Sequence, residues 1–103
     1  MSEKTRQNEK EDVLTRERTE EPKKFKVILL NDDYTSMEFV VEVLVRFFDR
    51  DATDAARIML QVHHAGTGVA GRYPRDEAET RAALATDEAR AQGFPLLLTV
   101  EPE

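Results

Sequence analysis

The chain has no cysteine. That removes a disulfide framework and any thiolate zinc site from consideration. It has no apolar run approaching the roughly 18 residues that suggest a membrane span. Its start has no apolar core of a secretion signal and is too acidic for a typical organelle transit peptide. A cytoplasmic, monomeric protein with no membrane association is expected. Positive charge is also in short supply, with 15 Lys and Arg against 21 Asp and Glu, a net charge of −6. Residues 1–24 hold seven of each sign, so the whole acidic excess lies beyond them. Nucleic-acid-binding modules carry the opposite sign, so no nucleic-acid partner is expected. An acidic surface instead favours basic partners or cationic ligands.

What remains is enough for one compact domain of 103 residues with a modest core. Residues 1–24 are charged and polar, with Val13 and Leu14 the only aliphatics after Met1. Such a segment cannot bury enough apolar area to offset its ordering entropy, and a flexible N-terminal extension is expected. The folded domain is expected over 25–103. Phe25 to Leu30 reads as a strand buried largely on both faces. Thr35-Ser36-Met37-Glu38 fits a capping box with Thr35 as N-cap and Glu38 at N3, opening a helix over about 36–49. Only Glu38, Glu42 and Arg46 are polar between Met37 and Phe48, which leaves one thin solvated stripe. This helix is expected to be central, covered on more than one side.

A second helix over about 53–64 repeats Ala55, Ile58, Met59 and Val62 at helical spacing, with His63 at the rim of that face. Gly66 and Gly68 close it. Val69 to Tyr73 reads as a short strand weakened by Gly71. A third helix is expected to start at Asp76 as N-cap, with a small buried stripe of Ala78, Ala82, Ala85 and Ala89 and Leu84 alongside. Gly93 ends it, and Leu96 to Val100 forms the last strand, with Leu96, Leu98 and Val100 on one face. The order β-α-α-β-α-β predicts an α+β fold, a small two-layer sandwich with a three-stranded antiparallel sheet.

The chemistry-bearing residues concentrate where the first strand ends and the central helix begins: Asn31, Asp32 and Asp33. Loops held by packed elements commonly display binding groups. Acceptors carrying negative charge point to a donor-rich cation. Other readings are poorer. Adjacent aspartates on a loop more often cap turns than act as an acid–base pair. His63 and His64 are helical neighbours about 100° apart, so they rarely ligate one ion, and no metal is expected. No serine sits in a nucleophile-elbow motif. Gly66-x-Gly68-x-x-Gly71 follows a helix, whereas the dinucleotide fingerprint follows a strand. Met37, Val40, Met59 and Val62 belong by default to a core.

The run Lys26-Val27-Ile28-Leu29-Leu30-Asn31-Asp32-Asp33-Tyr34-Thr35, followed by Met37-Glu38-Phe39-Val40, resembles the signature of the ClpS adaptor family. Met59-Leu60-x-Val62-His63, Ala78-Glu79-Thr80 and Pro95-Leu96-Leu97-x-Thr99 recur in the same order. The resemblance covers about residues 25–101. It implies a cofactor-free adaptor, not an enzyme, that binds N-terminal degradation signals (N-degrons). Such an adaptor passes its substrates to a ClpA-type AAA+ unfoldase working with ClpP. The favoured first residues would be Leu, Phe, Tyr and Trp. Carried over, the amine-binding groups fall on Asn31, Asp32, Asp33 and His63. The hydrophobic pocket falls on Leu30, Thr35, Met37, Val40, Met59, Val62 and Leu96, and the unfoldase-docking residues on Asp76, Glu79 and Arg81.

There are departures. Ser36 stands where the family usually has Pro, at the expected N1 position. Residues 70–77 differ from the family's usual Cys-containing strand and aromatic-Glu-Val segment. Two rival classes follow from the residues: a docking-only modulator or inhibitor of the unfoldase, and a metal-dependent hydrolase using Asp32, Asp33, His63 and His64.

Overall fold

A computed structural model describes residues 23–103, and the expected flexible extension over 1–24 lies almost wholly outside the described residues. The elements run β1 (Lys24–Leu30), α1 (Met37–Phe48), α2 (Ala52–Ala65), β2 (Thr67–Pro74), α3 (Arg75–Ala91) and β3 (Leu97–Pro102). The three strands form one sheet in the order β2-β1-β3, with both pairings antiparallel. The helices form the second layer, and α1 packs against both α2 and α3. The expected two-layer α+β sandwich and its central helix are both found.

Val27 and Leu29 on β1 are fully buried, whereas Lys26, Ile28 and Leu30 are half-buried. The strand therefore alternates, and the expected burial on both faces does not hold. Among the described residues, helices cover one side of the sheet, and period-2 geometry leaves the other side partly exposed.

Two caps differ from expectation, and α2 starts slightly earlier than expected. Thr35 is not the N-cap of α1, because its hydroxyl and N–H both donate to Asp32. Ser36 takes the place, extended at φ −70 and ψ 151, and its Oγ accepts from Phe39 N at 3.1 Å. Ser36 is thus the cap itself rather than N1, and Glu38 moves from N3 to N2, still in the first turn where the helix dipole favours it. Asp76 does not cap α3: β2 runs straight into the helix through Pro74, and Asp76 and Glu77 lie in the first turn. α2 starts at Ala52, with Asp51 Oδ1 accepting from Asp54 N at 2.8 Å.

The alanine stripe Ala78, Ala82, Ala85 and Ala89 is buried as expected. Leu84, expected beside it, is 51 % exposed. Alanines let α3 sit close to the sheet, which leaves a flanking long side chain in solvent. Gly71 does not shorten β2. Tyr73's ring lies where a Cβ on Gly71 would stand, so the glycine admits a packed aromatic. The register between Val27 and Ile28 skips Ala70, a β-bulge. Its carbonyl accepts from Arg50 Nε at 2.7 Å. β3 starts one residue later than expected, and Leu96 before it is buried in the core.

Arg81 joins three elements. Its Nη1 donates to Phe47 O at 2.8 Å, its Nε to Glu77 at 3.0 Å, and its Nη2 lies 3.2 Å from Asp49. The guanidinium also lies 4.6 Å from the centre of the Tyr73 ring, a cation–π distance. Tyr73 Oη donates to Phe48 O at 3.4 Å. The carbonyl end of α1, which has no helical partners of its own, is thereby satisfied from α3 and β2.

Candidate functional site

The loop between β1 and α1 is shaped by Asp32. Its Oδ1 accepts from Tyr34 N at 2.8 Å and Thr35 N at 2.7 Å, and its Oδ2 accepts from the Thr35 hydroxyl at 2.7 Å. An aspartate bonding backbone two and three residues on is a local turn device. Partial burial pushes the Asp32 carboxyl up. The Thr35 hydroxyl, the two backbone N–H groups and the Arg90 charge outweigh that and hold it below the usual aspartate value. Arg90 is itself fixed on the segment leading into β3, where its Nη1 donates to Phe94 O and Leu96 O, each at 2.9 Å.

A second tie joins this loop to α2. Asn31 N donates to Gly66 O at 2.9 Å. Gly66 ends α2 at φ +93, a left-handed conformation that glycine adopts without a Cβ penalty, and its own N–H bonds to Val62 O. The last turn of α2 is therefore held against the Asn31 loop, which brings His63 to it across more than thirty positions of sequence. His63 is exposed, with its ring edge-on to His64 at 5.1 Å between centroids. Among the described residues, the side chains of Asn31, Asp33 and His63 have no hydrogen-bond partner. Their polar atoms are available to a ligand.

These groups surround one cavity of about 380 Å³, within the usual range of ligand pockets. Its lining contains Asn31, Asp32, Asp33 and His63 together with Thr35, Met37, Val40, Met59 and Val62. Leu30 and Leu96 are not in the lining: Leu30 is half-buried at the end of β1 and Leu96 is 1 % exposed in the core. Tyr34, Ser36 and Glu38 also line it and were not among the expected site residues. Their position inside the loop run was the available signal. Tyr34 is 78 % exposed, a large apolar ring left at the surface beside the cavity.

The remaining candidate residues lie away from the cavity on α3. Asp76 is exposed, Glu79 is exposed and pairs with Arg75 at 3.2 Å, and Arg81 is turned toward the fold as described above. Among the described residues, no three of His, Cys, Asp and Glu come together to hold a metal ion. No helix of the described residues is long and apolar enough to cross a membrane. Chemically, the site offers acceptors beside an apolar wall. That suits recognition of a cationic group attached to an apolar body.

Three comparisons bear on this site. The sequence model of the family described as ATP-dependent Clp protease adaptor protein ClpS matches residues 20–99. An ATP-dependent Clp protease adapter protein ClpS from Desulfatibacillum aliphaticivorans is 53% identical over 94 residues, covering 89% of this chain and 90% of the relative. Its counterpart from Deinococcus radiodurans is 50% identical over 91 residues, covering 88% and 80% respectively. Among solved structures, Agrobacterium tumefaciens ClpS2 bound to L-phenylalaninamide superposes with a TM-score of 0.77 at 47% identity. That match covers 81% of this chain and 100% of the other.

Proposed function

The chain belongs to the ClpS family of ATP-dependent Clp protease adaptor proteins, and on that premise we propose that its loop cavity captures protein N-termini beginning with a large apolar residue. The family is one of adaptors rather than enzymes. The observation that carries the reading is a cavity with Asn31, Asp33 and His63 around it and Met37, Val40, Met59 and Val62 in its wall.

A free α-amine has a pKa of about 7.7–8.0, so at pH 7 it is mostly a cation with three N–H donors. The Asn31 amide oxygen, the Asp33 carboxylate and a His63 ring nitrogen supply three acceptors for them. Capture of an N-terminal amine is a recurring recognition mode. Asp32 contributes at one remove: its oxygens already hold the loop, so it adds negative charge and fixes its neighbours. Against the apolar wall, burying a Leu or Phe side chain contributes roughly 1.5–3 kcal/mol. Methionine walls adapt to both aliphatic and aromatic shapes, which supports a set of Leu, Phe, Tyr and Trp. The phenylalaninamide bound by the Agrobacterium protein has this chemistry, a free amine beside an aromatic side chain.

Delivery would be to a ClpA-type unfoldase and its ClpP partner in the cytoplasm. The docking contacts would fall on the exposed carboxylates Asp76 and Glu79 at the start of α3, with Arg81 organising the surface from beneath. The test is fluorescence anisotropy with labelled peptides identical except at residue one: Leu, Phe, Trp, Ile and N-acetylated Phe. Acetylation removes the charged amine and keeps the side chain. Binding of the free Leu and aromatic peptides, lost on acetylation, is expected. Absence of binding by all of them would leave the docking-only reading.

A further inference from the structure

Beside the cavity lies a second hollow of about 350 Å³, lined by Met37, Glu38, Val41 and Met59. Met37, Glu38 and Met59 line both, so the two methionines form a shared wall. Val41 stands one turn along α1 from Met37, half-buried and packed on the core, and borders only the second hollow. Met37 is 47 % exposed. An apolar hollow that shares a wall with a binding cavity is suited to more of the same ligand.

We propose that this hollow receives the third side chain of the captured peptide and that Val41 is a specificity-determining residue favouring an apolar one there. The proposal rests on the N-terminal capture described above. An extended peptide points successive side chains to opposite sides and returns to the same side every second residue. With the first side chain in the cavity, the second points away from the protein. The third returns about 6.5–7 Å further along. Charge adds a direction. Glu38 borders the hollow and Asp33 the adjoining cavity, so an acidic third residue meets like charge.

The experiment uses the full chain and anisotropy with labelled peptides Phe-Ser-X, where X is Leu, Ala or Asp, together with Phe-Leu-Ser. Leu at position three is expected to bind about fivefold tighter than Ala, since an open hollow buries only part of the side chain. Asp is expected to bind more weakly than Ala, and Leu at position two to bring no gain. Val41→Thr keeps the side chain's shape, and is expected to leave Phe-Ser-Ala affinity unchanged while reducing the Leu gain to less than about twofold. Equal affinities for all X, or a gain at position two instead of three, would overturn the proposal with N-terminal capture still standing. Loss of binding by every free-amine peptide would overturn capture, and this subsite with it.

Discussion

Asp32→Ala tests whether the site is built by the loop or merely located on it. Asp32 accepts three hydrogen bonds of 2.7–2.8 Å from Tyr34 and Thr35. Bonds to charged acceptors contribute about 1.5–3 kcal/mol each when well shielded and nearer 0.5–1 kcal/mol where water competes. This loop is partly exposed, so the lower figure applies, giving roughly 2 kcal/mol of local order in total. If that order must be restored on binding, affinity for a Phe-initiated peptide falls about thirtyfold. Thr35→Val separates scaffolding from direct contact. It removes one donor to Asp32, keeps every acceptor the amine uses, and is expected to weaken binding about three- to fivefold. Hydrogen exchange supplies the second readout: the Tyr34 and Thr35 amides should lose protection in Asp32→Ala. The pH dependence follows from the lowered carboxyl of Asp32. A group depressed in the folded state stabilises fully above its unfolded pKa of about 3.9 and ceases to as pH falls through its folded value. Protection of those two amides should therefore hold from neutrality to about pH 4 and fade below it. Wild-type affinity and intact protection in Asp32→Ala would refute the argument.

Asp33→Ala is expected to weaken peptide binding at least tenfold by removing the charged acceptor, and His63→Ala about fivefold, both by anisotropy at pH 7. The same binding should decline as pH rises past about 8, when the peptide amine loses its charge. Met37→Ala opens the cavity wall and is expected to admit β-branched first residues such as Ile and Val, read from the preference profile across first residues; an unchanged profile would remove Met37 from that role. Arg81→Ala withdraws the bonds to Phe47 O and Glu77 and the contact with Tyr73, about 2 kcal/mol in total at this partly shielded position. For a domain of this size the melting temperature should fall by about 10 °C. A smaller drop, with docking lost, would assign Arg81 to the partner surface instead.

Element order, the alanine stripe of α3 and the central place of α1 were legible in the chain because periodicity and breaker residues are local signals. So was the concentration of acceptors at Asn31 to Asp33, and the helical spacing that puts Met59 and Val62 on one face. Spacing could not choose between the Thr35 and Ser36 hydroxyls as the cap of α1. Both suit the role, and the choice turned on Asp32 binding Thr35 first. Nor could it show that Arg81 faces inward, since its acceptors Phe47 O and Asp49 lie some thirty residues away on another helix. Leu96, Leu98 and Val100 matched a single strand face, yet Leu96 is buried ahead of the strand, because β3 takes its register from β1. That His63 and Asn31 line one cavity likewise depended on tertiary contact, the backbone bond from Asn31 N to Gly66 O included. Residue type and spacing specify what each segment can offer. Competition among distant donors and acceptors for the same partners is settled only when the layers pack.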